Sequence, residues 1–184
     1  PEEWYERLRG RVGFVVLDRY DSGDATLHNR LTRGFGGRHD GFDGSGHYRA
    51  IRVTDRQQVH QVVPGAKLTG SVRDGTASAA NATVRLRTDV AVEGRSDEFT
   101  YVRRVRTDAD GRYQLRVAYP GEYEIRQPDG NATRTVTVSE SAVENGERVD
   151  VGALGDGGNA TATDGPDYDL TRSAPRRSVP RVAR

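Results

Sequence analysis

Three asparagines stand two residues ahead of a threonine: Asn81-Ala82-Thr83, Asn131-Ala132-Thr133 and Asn159-Ala160-Thr161. Each is the Asn-x-Thr acceptor pattern of N-linked glycosylation, and three of the five asparagines in the chain carry it. All three fall in expected turns or in the C-terminal tail, where an acceptor must sit. Read as acceptors, they put the chain in a glycosylating compartment. Read otherwise, they are by-products of a threonine-rich β-protein.

Other groupings offer less chemistry. His39-Asp40-Gly41-Phe42-Asp43-Gly44-Ser45-Gly46-His47 gathers two imidazoles and two carboxylates, the donor types that hold divalent cations. Its glycines leave those donors without a rigid frame, so a solvated or domain-contacting loop is expected. Asp108-Ala109-Asp110-Gly111 is similar to the start of a calcium loop, but Arg112 occupies the third ligand position and opposes a cation. A hairpin turn is expected there. The chain has no His-Glu-x-x-His, no Gly-x-Ser-x-Gly elbow, no phosphate loop and no dinucleotide fingerprint. No catalytic, cofactor-binding or metal-ligating residue is assigned. The arginine-rich end, from Arg172 to Arg184, reads as a solvated tail and not as a nucleic-acid-binding segment.

Composition bounds the elements that position these residues. Apolar residues make up 34% of the 184, and 22 glycines interrupt them, which predicts thin cores with many turns. No apolar run approaches the roughly 18 residues that span a bilayer. Without methionine, Pro1 is not expected to be a natural start; without cysteine, no disulfide or thiolate site forms. Cations and anions nearly balance at a net charge of +1, yet Lys67 is the only lysine.

Residues 1–63 read as the end of a mixed α/β domain. Glu2 to Arg9 has helical spacing, Phe14-Val15-Val16-Leu17 has the pattern of a strand buried on both faces, and Asp24 is the expected cap of a second helix. A glycine-rich loop follows from Gly34 to Gly46, then a hairpin of His47–Val53 and Gln58–Val63 turning at Asp55-Arg56. Two short helices and one hairpin give Phe14–Leu17 few neighbours, so the rest of that domain is expected elsewhere. Pro64-Gly65 marks a boundary. From Leu68 to Val151 the apolar period becomes two, in seven short segments with turn residues between them. The fold expected is mainly β: a seven-stranded antiparallel β-sandwich over 64–152, preceded by the small α/β segment. Residues 153–184 carry too little apolar surface to order and read as a disordered tail.

Two resemblances follow. Thr107-Asp108-Ala109-Asp110-Gly111-Arg112-Tyr113-Gln114-Leu115, with Pro120-Gly121-Glu122-Tyr123-Glu124-Ile125, resembles the carboxypeptidase regulatory-like family of transthyretin-type sandwiches. That implies an accessory module; no histidine here has glutamate three residues later, so that enzyme family's zinc ligands are absent. Gly44-Ser45-Gly46-His47-Tyr48-Arg49, the hairpin, and Val62-Val63-Pro64-Gly65-Ala66-Lys67-Leu68-Thr69-Gly70 resemble the C-terminal part of haloarchaeal oligosaccharyltransferases. Those membrane enzymes move a lipid-linked oligosaccharide onto asparagine, and their soluble part lies outside the membrane. The resemblance implies a location on the extracytoplasmic face. Its implied partners are the parent membrane domain of the same polypeptide, acceptor proteins or a surface layer. The family's Trp-Trp-Asp-Tyr-Gly motif is absent, Trp4-Tyr5-Glu6 is no substitute, and the divalent metal would be held by parts outside this chain. No catalytic residue transfers. The other reading is a secreted or cell-surface binding or spacer protein built on the same sandwich.

Overall fold

The computed structural model describes residues 2–19, 26–127, 132–155 and 161–162. The N-terminal segment holds helix α1 (Glu2–Leu8), strand β1 (Phe14–Asp18), helix α2 (Leu27–Gly34) and strands β2 (Tyr48–Val53) and β3 (Gln57–Val62). The strands form an antiparallel sheet in the order β1-β3-β2. The β2–β3 turn at Asp55-Arg56 is closed by Thr54, whose Oγ1 accepts the Gln57 N–H at 3.0 Å.

Two expectations change here. Asp24 lies outside the described residues, and the α2 cap is Thr26, whose Oγ1 accepts the Asn29 N–H at 3.3 Å. Strand β1 is not buried on both faces. It is the edge of its sheet, and Phe14 and Val16 are 57% and 58% exposed. The apolar run was read correctly as a strand, but no described element packs on its outer side.

Strands β4 (Ala66–Asp74), β5 (Ala77–Ser78), β6 (Thr83–Val90), β7 (Phe99–Arg106), β8 (Arg112–Val117), β9 (Gly121–Arg126) and β10 (Thr133–Val138) follow. Helix α3 (Glu140–Asn145) leads to β11 (Arg148–Leu154), and β12 (Thr161–Ala162) ends the described chain. One sheet has the order β12-β10-β9-β6-β7; the other has β4 at its centre, paired with β11, β5 and β8. Their period-two patterns turn one face of each sheet inward. Leu68, Val72, Val84, Leu86, Tyr101, Tyr123, Ile125 and Val151 are all fully buried in one cluster. The fold class is thus mainly β, a sandwich after a small α/β segment.

Two pairings within the sandwich are parallel: β11 with β4, and β12 with β10. The first exists because α3 reverses the chain before β11. Ser139 Oγ caps α3 by accepting the Ala142 N–H at 3.1 Å, and Gly146 ends it at φ 68°. Thr161 and Ala162, inside the span read as tail, add a short strand to the β10 edge.

The N-terminal sheet is tied to α2 by a buried polar chain. Gln58 Nε2 donates to the Thr32 carbonyl at 2.8 Å, and its Oε1 faces His60 Nε2 at 3.1 Å. That contact needs the proton on Nε2, which leaves Nδ1 sealed from water with no partner. Protonating Nδ1 would place a charge in a dry site, so burial lowers the His60 pKa to about 4. Below pH about 6.5 the unfolded chain binds this proton and the folded chain does not. Stability is therefore expected to fall as pH drops from 6.5 towards 4, by about 3 kcal/mol at most. Urea titrations across that range should show the loss in the parent chain and a much flatter profile in His60→Gln.

Candidate functional site

The described residues that bind two parts of the chain together lie where the α/β segment meets the sandwich. Tyr119 follows β8 and is buried. Its Oη donates to the Phe35 carbonyl at 2.7 Å and accepts the Ala50 N–H at 2.7 Å. One hydroxyl thus satisfies the carbonyl that ends α2 and an outward amide of β2. Tyr101 Oη donates to the Ser45 carbonyl at 2.9 Å, and Tyr123 Oη donates to the Tyr119 carbonyl at 2.8 Å.

The rings pack edge to face. Tyr101 and Tyr119 centroids are 4.7 Å apart at 60°, and Phe99 meets Tyr119 at 5.7 Å and 78°. Phe35 stacks on Phe99 at 4.6 Å. Such pairs contribute about 0.5–1.5 kcal/mol each beyond their buried area. Phe35 holds the left-handed conformation at φ 51°, where a bulky residue costs about 1–3 kcal/mol. Ring stacking and the hydrogen bond to its carbonyl offset that cost. Burial pushes the hydroxyls of Tyr101, Tyr119 and Tyr123 above their ordinary range, so they stay protonated donors.

Backbone contacts close the remainder. Val53 N–H donates to the Glu93 carbonyl at 2.8 Å, and Arg38 N–H to the Val102 carbonyl at 2.8 Å. Gly65 lies at φ 74°, and a Cβ there would overlap the Gly46 carbonyl. Arg49 of β2 reaches α3, placing Nη2 2.6 Å from Glu140, while its Nε and Nη2 both donate to Gln61 Oε1. The hydrogen bond from Arg49 holds the Glu140 carboxyl below the usual carboxylate range. Buried apolar residues run without a break from Phe35, Ala50 and Val63 into Ala66 and Leu68.

The residues singled out in the sequence do not converge on a reacting centre. Asn81 is exposed in a turn at φ 55°, its Oδ1 accepting from Arg106 Nη1 at 3.0 Å. Asn131 and Asn159 lie outside the described residues, as does the arginine-rich end. The loop from Gly34 to Gly46 contacts the sandwich. His39 Nε2 meets Asp40 at 3.0 Å, Asp43 pairs with Arg38 at 3.1 Å, and His47 turns inward to stack on Tyr5 at 3.6 Å. Among the described residues no three metal-ligating side chains gather. Asp108 Oδ1 accepts the Asp110 and Arg112 amides at 3.0 and 2.8 Å, forming the expected turn.

Tyr119 was missed. Its signal was a tyrosine directly before Pro120-Gly121, continuing the period-two alternation of Tyr113, Leu115 and Val117. Tyr119→Phe leaves a buried carbonyl and a buried amide unpaired, and is expected to cost about 2–4 kcal/mol. Tyr123→Phe loses one bond and is expected to cost about 1 kcal/mol. Equilibrium urea unfolding of both variants checks the order.

Residues 65–149 match the family model described as the archaeal glycosylation protein B long peripheral domain. No curated protein matches the chain. Among solved structures, the oligosaccharyltransferase AglB of Archaeoglobus fulgidus, in complex with an inhibitory peptide and a dolichol-phosphate, is 25% identical. That match covers 52% of this chain and 11% of the other, with a TM-score of 0.42. The same organism's enzyme with Zn and sulfate is 21% identical over 68% of this chain and 15% of that one, at 0.45. A DUF3823 family protein from Parabacteroides merdae is 20% identical over 50% and 46%, at 0.34. The chain thus spans a small part of those enzymes' length. The family match rests on the sandwich itself, from the junction glycine into its closing strand.

Proposed function

We propose that this chain is a non-catalytic, extracytoplasmic C-terminal region of a membrane oligosaccharyltransferase that transfers a lipid-linked oligosaccharide to asparagine. The observation that carries this reading is a peripheral-domain-family sandwich locked onto an α/β segment whose edge strand leaves Phe14 and Val16 uncovered. An apolar edge strand is an aggregation liability unless something packs on it. The preceding part of the same polypeptide is the natural cover. The sandwich would buttress that core domain through the tyrosine junction, and acceptor proteins or a surface layer would meet its outer faces.

The divalent metal that such an enzyme uses does not fit the described residues, since His39 and Asp40 make only a pair and His47 is turned inward. It would be held elsewhere in the polypeptide. Asn81, Asn131 and Asn159 are proposed acceptor sites of the chain. No helix among the described residues is long and apolar enough to cross a membrane, so in this reading the anchor belongs to other parts of the parent.

A cell-surface binding or spacer protein is the competing reading, favoured by the resemblance of residues 107–125 to the carboxypeptidase regulatory-like signature. The open reading frame upstream of Pro1 separates the two. A series of hydrophobic spans followed by Trp-Trp-Asp-Tyr-Gly is expected; a signal peptide within a few dozen residues would overturn the transferase reading. Peptide mass spectrometry of the protein from its own host is expected to find Asn81 glycosylated. An unmodified Asn81 would remove it as an acceptor.

A further inference from the structure

The outward face of the β12-β10-β9-β6-β7 sheet carries a row of like charges. Arg85 of β6 lies directly opposite Arg104 of β7 on one side and Arg126 of β9 on the other, and Thr133 of β10 extends the row. All three arginines alternate with inward residues, so their guanidinium groups share one face. Like charges directly opposite one another destabilise a sheet. Among the described residues none of the three has a hydrogen-bonding or ion-pairing partner for its guanidinium. The Nε of Arg85 is, moreover, sealed from solvent without an acceptor. The nearby acid, Glu124, is committed to Arg87 at 2.8 Å. Among the described residues, three unneutralised cations thus sit on adjacent strands, about 4.8 Å apart.

We infer that this row is a binding surface for an acidic saccharide chain supplied by another molecule. Guanidinium groups take carboxylates or sulfates through paired hydrogen bonds. The strand spacing is close to the length of one sugar ring, so successive acidic sugars would meet successive arginines. Thr133 and Thr135, beside the row, offer hydroxyls of the kind that pair with sugar hydroxyls. The face carries no outward aromatic ring on β6, β7, β9 or β10, so it lacks the platforms on which nucleic-acid bases stack. It equally lacks the buried aromatic anchors of a tight protein interface. An extended acidic peptide presents its same-face carboxylates about 6.6 Å apart, a poorer match to the row. The inference holds whether or not the parent is an oligosaccharyltransferase.

The test uses the whole chain, made without glycosylation, and oligogalacturonate as probe. The Arg85→Ala/Arg104→Ala/Arg126→Ala variant is expected to bind at least about tenfold more weakly. A charge-matched control on the other sheet, Lys67→Ala/Arg112→Ala/Arg148→Ala, is expected to stay within about twofold of the parent. Because the row is strained by like charges, Arg85→Gln is expected to lose affinity while melting at the same temperature or higher. Equal losses in the two triple variants would reduce the effect to net charge and overturn the proposal. So would binding of polyglutamate or oligo(dT) as tight as the uronate, absence of uronate binding, or a lower melting temperature in Arg85→Gln.

Discussion

The arrangement depends on one hydroxyl. Tyr119 Oη lies between a helix-ending carbonyl and a strand amide, and it comes from the sandwich while both partners come from the α/β segment. A buried backbone group without a partner costs about as much as a lost hydrogen bond, so two elements cannot meet in a dry interface with their main-chain groups open. Tyr119 meets both needs with a rigid side chain. Tyr101 and Tyr123 repeat the device on Ser45 and on Tyr119 itself, and their rings fill the space between. The continuity of the core across Pro64 follows from this.

The period-two alternation made the sandwich legible, because each strand has one buried and one wet face and residue type must follow. The turn at Asp108–Gly111 was legible for a similar local reason. A carboxylate three residues before glycine can fold back onto its own backbone. What could not be read depended on what lies across a gap. The Phe14–Leu17 run has the composition of a strand covered on both sides, and sequence alone does not say whether the cover is present. Helix α3 was overlooked although Ser139 and Gly146 are good cap residues, since six residues carry little periodicity between two β-strands. The hydrogen bonds of the junction were illegible because a tyrosine's partners there are main-chain atoms, which leave no trace in residue type.

Charge shows the same division between local and distant. A net charge of +1 describes a chain in which charges cancel, yet the faces are not uniform. Arg49 is nearly enclosed between Gln61 and the acids of α3, a use suited to a planar fork of donors. Arg116 donates to the carbonyls of Pro64 and Gly65 and so joins the junction. Arg85, Arg104 and Arg126 are given no such task. Strand register sets these three side by side.

Strand β11, the last of the long strands, lies alongside β4, the first strand of the sandwich, and the two run in the same direction. Contacts between distant ends of a chain require loop closure before any gain is realised. A chain emerging from a ribosome therefore holds β4 with that edge unpaired until residue 154 has appeared. The sandwich is assembled late and as a whole, and through Tyr119 the α/β segment waits for it. The α/β segment must tolerate an unfinished neighbour for the time it takes to synthesise about ninety residues, several seconds at ordinary elongation rates.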